Sequence, residues 1–266
     1  MKKEYVMWLI IAVLVVGLLL GTQKAETMAI DFTAVNNQKI NFGAVSAVRG
    51  LTNKSVSVWV YQDAYTNGRV VHLSPTDNTV DEFFSMDLNT VENGTVGFTA
   101  GWSTSPYVGL WRTATGVVPT GGWYHIVVTY VNSSTANDPI IYVNGVAKAT
   151  SEEYTPAGTS LTGTNNIMAI GYGGTAASNP IDGRVSDVRV YNRILTADEV
   201  LAIYNARGRD NIRNGLVFCP FLKGAAGLQA FDGVALAAGN TIVDPCSGAV
   251  GVPAGNPVGV GETYLR

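Results

Sequence analysis

Residues 101–113, GWSTSPYVGLWRT, place three large rings and one cation among Ser, Thr, Gly and Pro. Trp102, Tyr107 and Trp111 offer faces on which a sugar can stack, and Arg112 offers donors that orient hydroxyls. The same tryptophans also suit a packed interior, where Trp is buried on average. Both readings stay open at this level.

Nucleophilic and acid–base chemistry is poorly served. His72 and His125 are the only histidines, and no G-x-S-x-G accompanies them. His125 lies within the apolar run WYHIVVTYV and reads as a satisfied sheet residue. The acidic pairs Asp81-Glu82, Glu152-Glu153 and Asp198-Glu199 are adjacent in sequence. On a strand, neighbours face opposite ways, whereas a retaining glycosidase needs two carboxyls ~5 Å apart on one face. The expectation is a non-enzymatic protein. Cys219 and Cys246 are the only cysteines. In an exported chain they pair, closing a loop of about 27 residues; otherwise they are free thiols. No spacing resembles a zinc site.

The elements that must position these residues are short strands. The chain has 266 residues, 47% hydrophobic and 14% charged, with 30 glycines. That suits one β-rich domain of ~200 residues with extensions. The net charge of -3 gives no reason to expect nucleic acid, which needs clustered Lys and Arg. Basic residues between Arg189 and Arg213 are diluted by Asp198, Glu199 and Asp210, as on a solvated face.

Lys2 and Lys3 precede an uninterrupted apolar run, Tyr5 to Gly21. As a helix it reaches ~25 Å, slightly short of a bilayer core. The lysines stay cytoplasmic, so the remainder faces outward. Two readings of residues 1–29 stand: a signal peptide cut after Thr27-Met28-Ala29 or Gln23-Lys24-Ala25, or an uncleaved membrane anchor.

Further along, Ser55 to Tyr61 alternates Val56, Val58 and Val60 against Ser57, Trp59 and Tyr61. Arg69–Leu73, Phe83–Leu88 and Thr95–Ala100 are further strands, with Asn67-Gly68 and Asn93-Gly94 as turns. Trp123 to Val131 is the clearest strand. Asn144-Gly145 between Ile140–Val143 and Val146–Ala149 is a strong hairpin signal. Ile167–Tyr172 follows. Ile181 to Gly208 then joins a strand, Val185–Tyr191, to a short helix. Thr196 and Glu199 form a capping box, Leu195 and Val200 a hydrophobic staple, and Gly208 the stop. Along the strand, Val185, Asp187, Arg189 and Tyr191 are expected on one face, Ser186, Val188 and Val190 on the other.

The run Val188-Arg189-Val190-Tyr191-Asn192-Arg193-Ile194-Leu195, then Thr196-Ala197-Asp198-Glu199-Val200, resembles the last strand and terminal helix of laminin-G-like jelly rolls. Those belong to the concanavalin A-like lectin/glucanase superfamily. The strand at Trp123 and the hairpin at Asn144-Gly145 resemble the same family. The resemblance implies an all-β fold: a two-sheet antiparallel jelly-roll sandwich with one short C-terminal helix, here preceded by an N-terminal hydrophobic helix. The jelly roll would span residues 30–208. Residues 209–266 would hold a closing strand, Gly215–Leu222, or the start of a cut-short repeat, then a Gly/Ala-rich tail.

Some relatives cleave glycans with Glu-x-Asp-x-x-Glu on one strand, which is absent here. Some hold calcium with loop carboxylates, for which Asp182 and Asp187 are the candidates; the alternative pairs Asp187 with a nearby Arg. The expected role is an exported recognition module, extracellular or at the cell surface, binding a glycan or a surface protein, attached to the membrane if the N-terminal segment is retained. The rival is a structural surface, appendage or virion protein that packs against other proteins.

Overall fold

The computed structural model describes residues 27–75, 81–89, 93–163, 166–171, 179–220, 234–235, 242–255 and 257–262. These form two antiparallel sheets packed face to face. The first runs edge to edge through Val146–Lys148, Ile140–Val143, Trp123–Val131, Asn53–Gln62, Gly183–Tyr191, Thr27–Phe32, Val258–Glu262 and Val234–Ala235. The second runs through Thr150–Tyr154, Val108–Thr113, Thr95–Thr104, Phe84–Asn89, Gly68–Pro75, Asn166–Ile170, Lys39–Gly43, Val250–Ala254 and Ile242–Val243. Leu216–Phe218 pairs with Gly183–Tyr191, and Ala157–Ser160 with Thr95–Thr104.

Alternation sets the core. Val56, Val58 and Val60 meet Phe84, Met86, Phe98 and Ile170 between the sheets, all at most 1% exposed. The opposite face of the first sheet is buried for a different reason: the α-helix Ala197–Ala206 lies on it. Tyr191, Leu195, Val200 and Ile203 make a second apolar cluster there. Trp59, His125 and Tyr204 stack across the contact, with centroids 5.1 Å and 5.8 Å from Trp59. The capping box is complete: Glu199 N donates to Thr196 Oγ1 at 3.2 Å, and Thr196 N to Glu199 Oε2 at 2.9 Å. The helix ends at Arg207, whose φ of 49° is left-handed, one residue earlier than the Gly208 stop expected from sequence.

Alternation fails within Gly183–Tyr191. The register shifts between Ser186 and Arg189, and Asp187 takes φ 48°. This bulge inserts one residue, so Val185, Val188 and Val190 all reach the core. Arg189 and Tyr191 are thereby turned to the helix side.

The C-terminal region supplies strands to both sheets, although its Gly-rich sequence shows little patterning. Leu216–Phe218 extends the first sheet beside Val190 and Tyr191. Val250–Ala254 pairs with Lys39–Gly43 in the second. A Cβ on Gly251 would lie 2.5 Å from Phe42 and 2.7 Å from Ile40. Glycine here lets a strand cross large side chains that a patterned residue would strike.

Thr27, Met28 and Ala29 lie in a strand paired with Glu262, Gly261 and Val260. Cleavage after Ala29 would remove three of the five pairs between those strands. The apolar run at 5–21 lies outside the described residues. Among the described residues, no helix is long and apolar enough to cross a membrane.

Candidate functional site

The candidate residues of 101–113 do not converge on one surface. Trp111 is 1% exposed and packs between Phe98 and Tyr130, at 6.5 Å and 5.3 Å. Its Nε1 donates to Asp138 Oδ1 at 2.8 Å. Arg112, the next residue of the strand, points to the outer face and pairs with Glu153. Tyr107 sits in the turn between the two strands, with φ 65° and 48% exposure. Its carbonyl accepts from Trp102 N at 2.9 Å. Of the two readings left open by the sequence, both indoles take the packed interior, because the core-facing register of each strand turns them inward.

Trp102 nevertheless meets a cavity. It is one of the residues lining a pocket of about 430 Å³. Thr52, residues 132–135 and residues 158–160 line it together with Trp102. Little of the indole is presented, since the residue is 1% exposed. The walls are braced. Ser103 Oγ accepts from Thr159 N at 3.0 Å, and Asn137 Nδ2 donates to Val131 O at 3.0 Å. Beneath Trp102 the Tyr130 hydroxyl is pushed up to about 12 by burial. Hydroxyls and amides therefore converge on a preformed concave site, the arrangement that recognises a polar, neutral ligand.

Lys54 lies under this pocket. It is 2% exposed, and burial pulls its ammonium down to about 8. The Asn132 amide, oriented to satisfy its neighbours, donates to Thr52 O at 2.9 Å and accepts from Lys54 Nζ at 3.1 Å and Ser160 Oγ at 3.3 Å. Neither residue stands out in the sequence as a catalytic type. A signal does exist: Lys54 occupies the same strand face as Val56, Val58 and Val60.

The two calcium candidates serve other partners. Arg189 grips Asp187 with Nε to Oδ1 at 2.7 Å and Nη2 to Oδ2 at 2.8 Å. Arg189 Nη1 also donates to Asp210 Oδ1 at 2.7 Å. Burial opposes its charge, but Asp187 and Asp210 hold the guanidinium above its ordinary value. Asp182 Oδ1 accepts from Ala34 N at 3.4 Å. Asp182 precedes the strand Gly183–Tyr191, and Asp187 lies within it at the bulge.

His125 is fully buried with Nε2 2.9 Å from Ser57 Oγ, and burial beside Arg189 holds it near 3. Solvent cannot reach that Ser–His contact. Cys219 and Cys246 are disulfide-bonded with Cα atoms 5.6 Å apart. Among the described residues the only acid–thiol cluster is these two with Asp244. Its geometry is structural: Asp244 Oδ1 accepts from Cys219 N at 2.7 Å and Cys246 N at 3.1 Å.

No curated protein sequence matches the chain. Solved structures share the fold. A candidate carbohydrate-binding protein of Bacteroides ovatus is 19% identical at TM-score 0.56, with 88% of this chain covered. This chain spans only 59% of that protein's length. A heptameric SAP-like pentraxin of Limulus polyphemus is 15% identical at TM-score 0.52, over 85% of this chain and 95% of the pentraxin. Mouse laminin α1 domains LG4-5 are 14% identical at TM-score 0.45, over 64% and 43%. The laminin G profile of the concanavalin A-like lectin/glucanases superfamily matches residues 35–201, and the chain belongs to that superfamily.

Proposed function

We propose that this protein is an exported, non-catalytic recognition module that binds carbohydrate in the pocket above Trp102. The observation that carries the reading is the wall of that pocket. Ser133, Ser134, Thr135, Thr159 and Ser160 line it beside Trp102, in a site of about 430 Å³. Sugars are recognised by many modest hydrogen bonds beside an apolar surface. The fold shared with a candidate carbohydrate-binding protein is consistent with that use. Export rests on the apolar N-terminal run and on a disulfide of the kind that oxidising compartments maintain. A cut after Ala25 keeps the strand Thr27–Phe32 whole; an uncleaved segment would tether the domain.

A second reading has its own support. Val243, Val250 and Val252 are each more than two-fifths exposed at one edge of the second sheet. Such an edge suits packing against another protein.

A glycan array probed with the full chain tests the first reading. Thr135→Arg and Ser134→Arg insert a long side chain into the pocket from positions that carry no core packing. Retention of a glycan that falls at least ~10-fold in both variants, with an unchanged melt, supports the pocket. Absence of glycan retention, or retention indifferent to both, overturns it and leaves the protein-packing reading.

A further inference from the structure

The buried lysine at the base of the sandwich mouth is out of place. An ammonium carries three donors, yet among the described residues one acceptor reaches Lys54 Nζ, the Asn132 carbonyl at 3.1 Å. The Phe84 ring lies 5.9 Å away. Glu82, itself 2% exposed, exerts its field on Lys54. Its oxygens are occupied by Gly50 N at 2.9 Å and 2.8 Å and Gly163 N at 3.3 Å. A buried, under-satisfied charge is costly, and loss of a proton relieves that cost. At about 8, roughly a tenth of Lys54 is the free amine at neutral pH. A buried amine is a nucleophile.

Its neighbour is held as an electrophile. Lys54 Nζ and Ser160 Oγ both point at the Asn132 carbonyl oxygen, and Thr52 O fixes the amide nitrogen. When the amine turns to the carbonyl carbon, the Ser160 hydroxyl stays on the oxygen and stabilises the charge that develops there. The partners are already confined by the strands Asn53–Gln62 and Trp123–Val131, which pair Asn53 with Val131 and Lys54 with Tyr130. Such confinement replaces a bimolecular encounter.

We propose that Lys54 and Asn132 form an intramolecular isopeptide cross-link. The neutral Nζ adds to Asn132 Cγ, the Nζ–Cγ bond forms and the Cγ–Nδ2 bond breaks. The proton shed by Nζ passes to Nδ2, which leaves as ammonia. No oxidant, metal or co-reactant is consumed. The pocket lies against Asn132 and Ser160 and gives the ammonia a way out. The product replaces a buried cation with a neutral amide. It also ties together two neighbouring strands of the first sheet at their ends, closing a loop of about 78 residues.

Peptide mass spectrometry of the full chain, denatured, reduced and digested, decides the matter, with Lys54→Met and Asn132→Ala as controls. Met is a tolerated filler of cores. The expected product is one branched peptide joining the segments around Lys54 and Asn132. It should be lighter than their sum by one ammonia and absent from both controls. The thermal midpoint of the controls should fall by roughly 10 °C or more. The idea is overturned if the unaltered protein, shown folded by a cooperative melt and an intact disulfide, yields two linear peptides with a free Lys54 amine and an intact Asn132 amide. That readout comes from the unaltered chain, so a control that fails to fold does not blunt it.

Discussion

Trp111 and Asp138 are joined by a hydrogen bond of 2.8 Å from the indole Nε1 to the carboxylate Oδ1. A ring that is 1% exposed thus anchors an exposed loop. That loop, through residues 132–135, forms one wall of the pocket. Trp111 acts on the site through packing and through Asp138, without facing a ligand.

Trp111→Ala is expected to cost about 3–5 kcal/mol, the usual cost of emptying a large core site. Asp138→Ala should cost only about 1 kcal/mol and loosen the loop. Chemical denaturation of both variants checks this. Equal losses would mean that the hydrogen bond, and not ring burial, dominates.

The capping box predicts that Thr196→Ala lowers stability by about 1 kcal/mol with the fold retained. Glu199 is held down to about 2, chiefly by Arg193, whose Nη2 lies 2.6 Å from Oε1. Its stabilising share is present above the ordinary value of 4.5 and is lost as pH falls toward 2. An unchanged melting midpoint for Thr196→Ala would argue that the helix start is held by Leu195 and Val200 alone.

Two histidines set the mildly acidic limb. His72 and His125 are both lowered from 6.5 to about 3 by burial, with Arg69 and Arg189 adding to the effect. The unfolded chain therefore binds more protons between those values. Stability should be full above 6.5 and fall as pH drops toward 3, by about 1.4 kcal/mol per pH unit for each histidine. His125→Gln should reduce the slope measured in denaturant titrations above the carboxylate range. A slope that stays the same would assign the limb elsewhere.

Arg189 binds two carboxylates while only 3% exposed. Arg189→Met leaves Asp187 and Asp210 without their cation, so a loss of about 3–5 kcal/mol is expected. Removing one of the two orphaned charges with Asp210→Asn in the same chain returns the cluster to its original net charge and should recover part of it. A double variant as unstable as the single one would indicate that the hydrogen bond from Arg189 to Tyr191, at 3.4 Å, and packing matter more than charge.

The disulfide closes a separation of 27 residues. Cys219→Ser with Cys246→Ser should lower stability by about 3 kcal/mol in the chain-entropy view. It should also leave the two sheets in place, since the strand Leu216–Phe218 is held by Gly183–Tyr191. A melt unaffected by reductant would show that Asp244 alone holds this corner.

Local spacing along the chain determines much of this protein. The alternation of Val56, Val58 and Val60 names a core strand. Asn144-Gly145 names a hairpin, observed with φ 53° and 79° at the two turn residues. Thr196 and Glu199 name the helix start to the residue. Each of these is fixed by neighbours within a few positions, so a linear sequence carries it. Tertiary structure alone decides the rest. Alternation says that a strand has two faces, not which one meets the core; Trp102 and Trp111 turn inward and Arg112 outward. The bulge at Asp187 exchanges faces in mid-strand, because Val188 and Val190 fill the interior while Arg189 meets Asp210. The tail's strands are hidden in the sequence because Gly251 is specified by Ile40 and Phe42, more than two hundred residues earlier. The pocket and the Lys54–Asn132 contact come from strand pairing between segments far apart in the chain. Such contacts are set by the packing of the whole sandwich, and no window of sequence contains both partners.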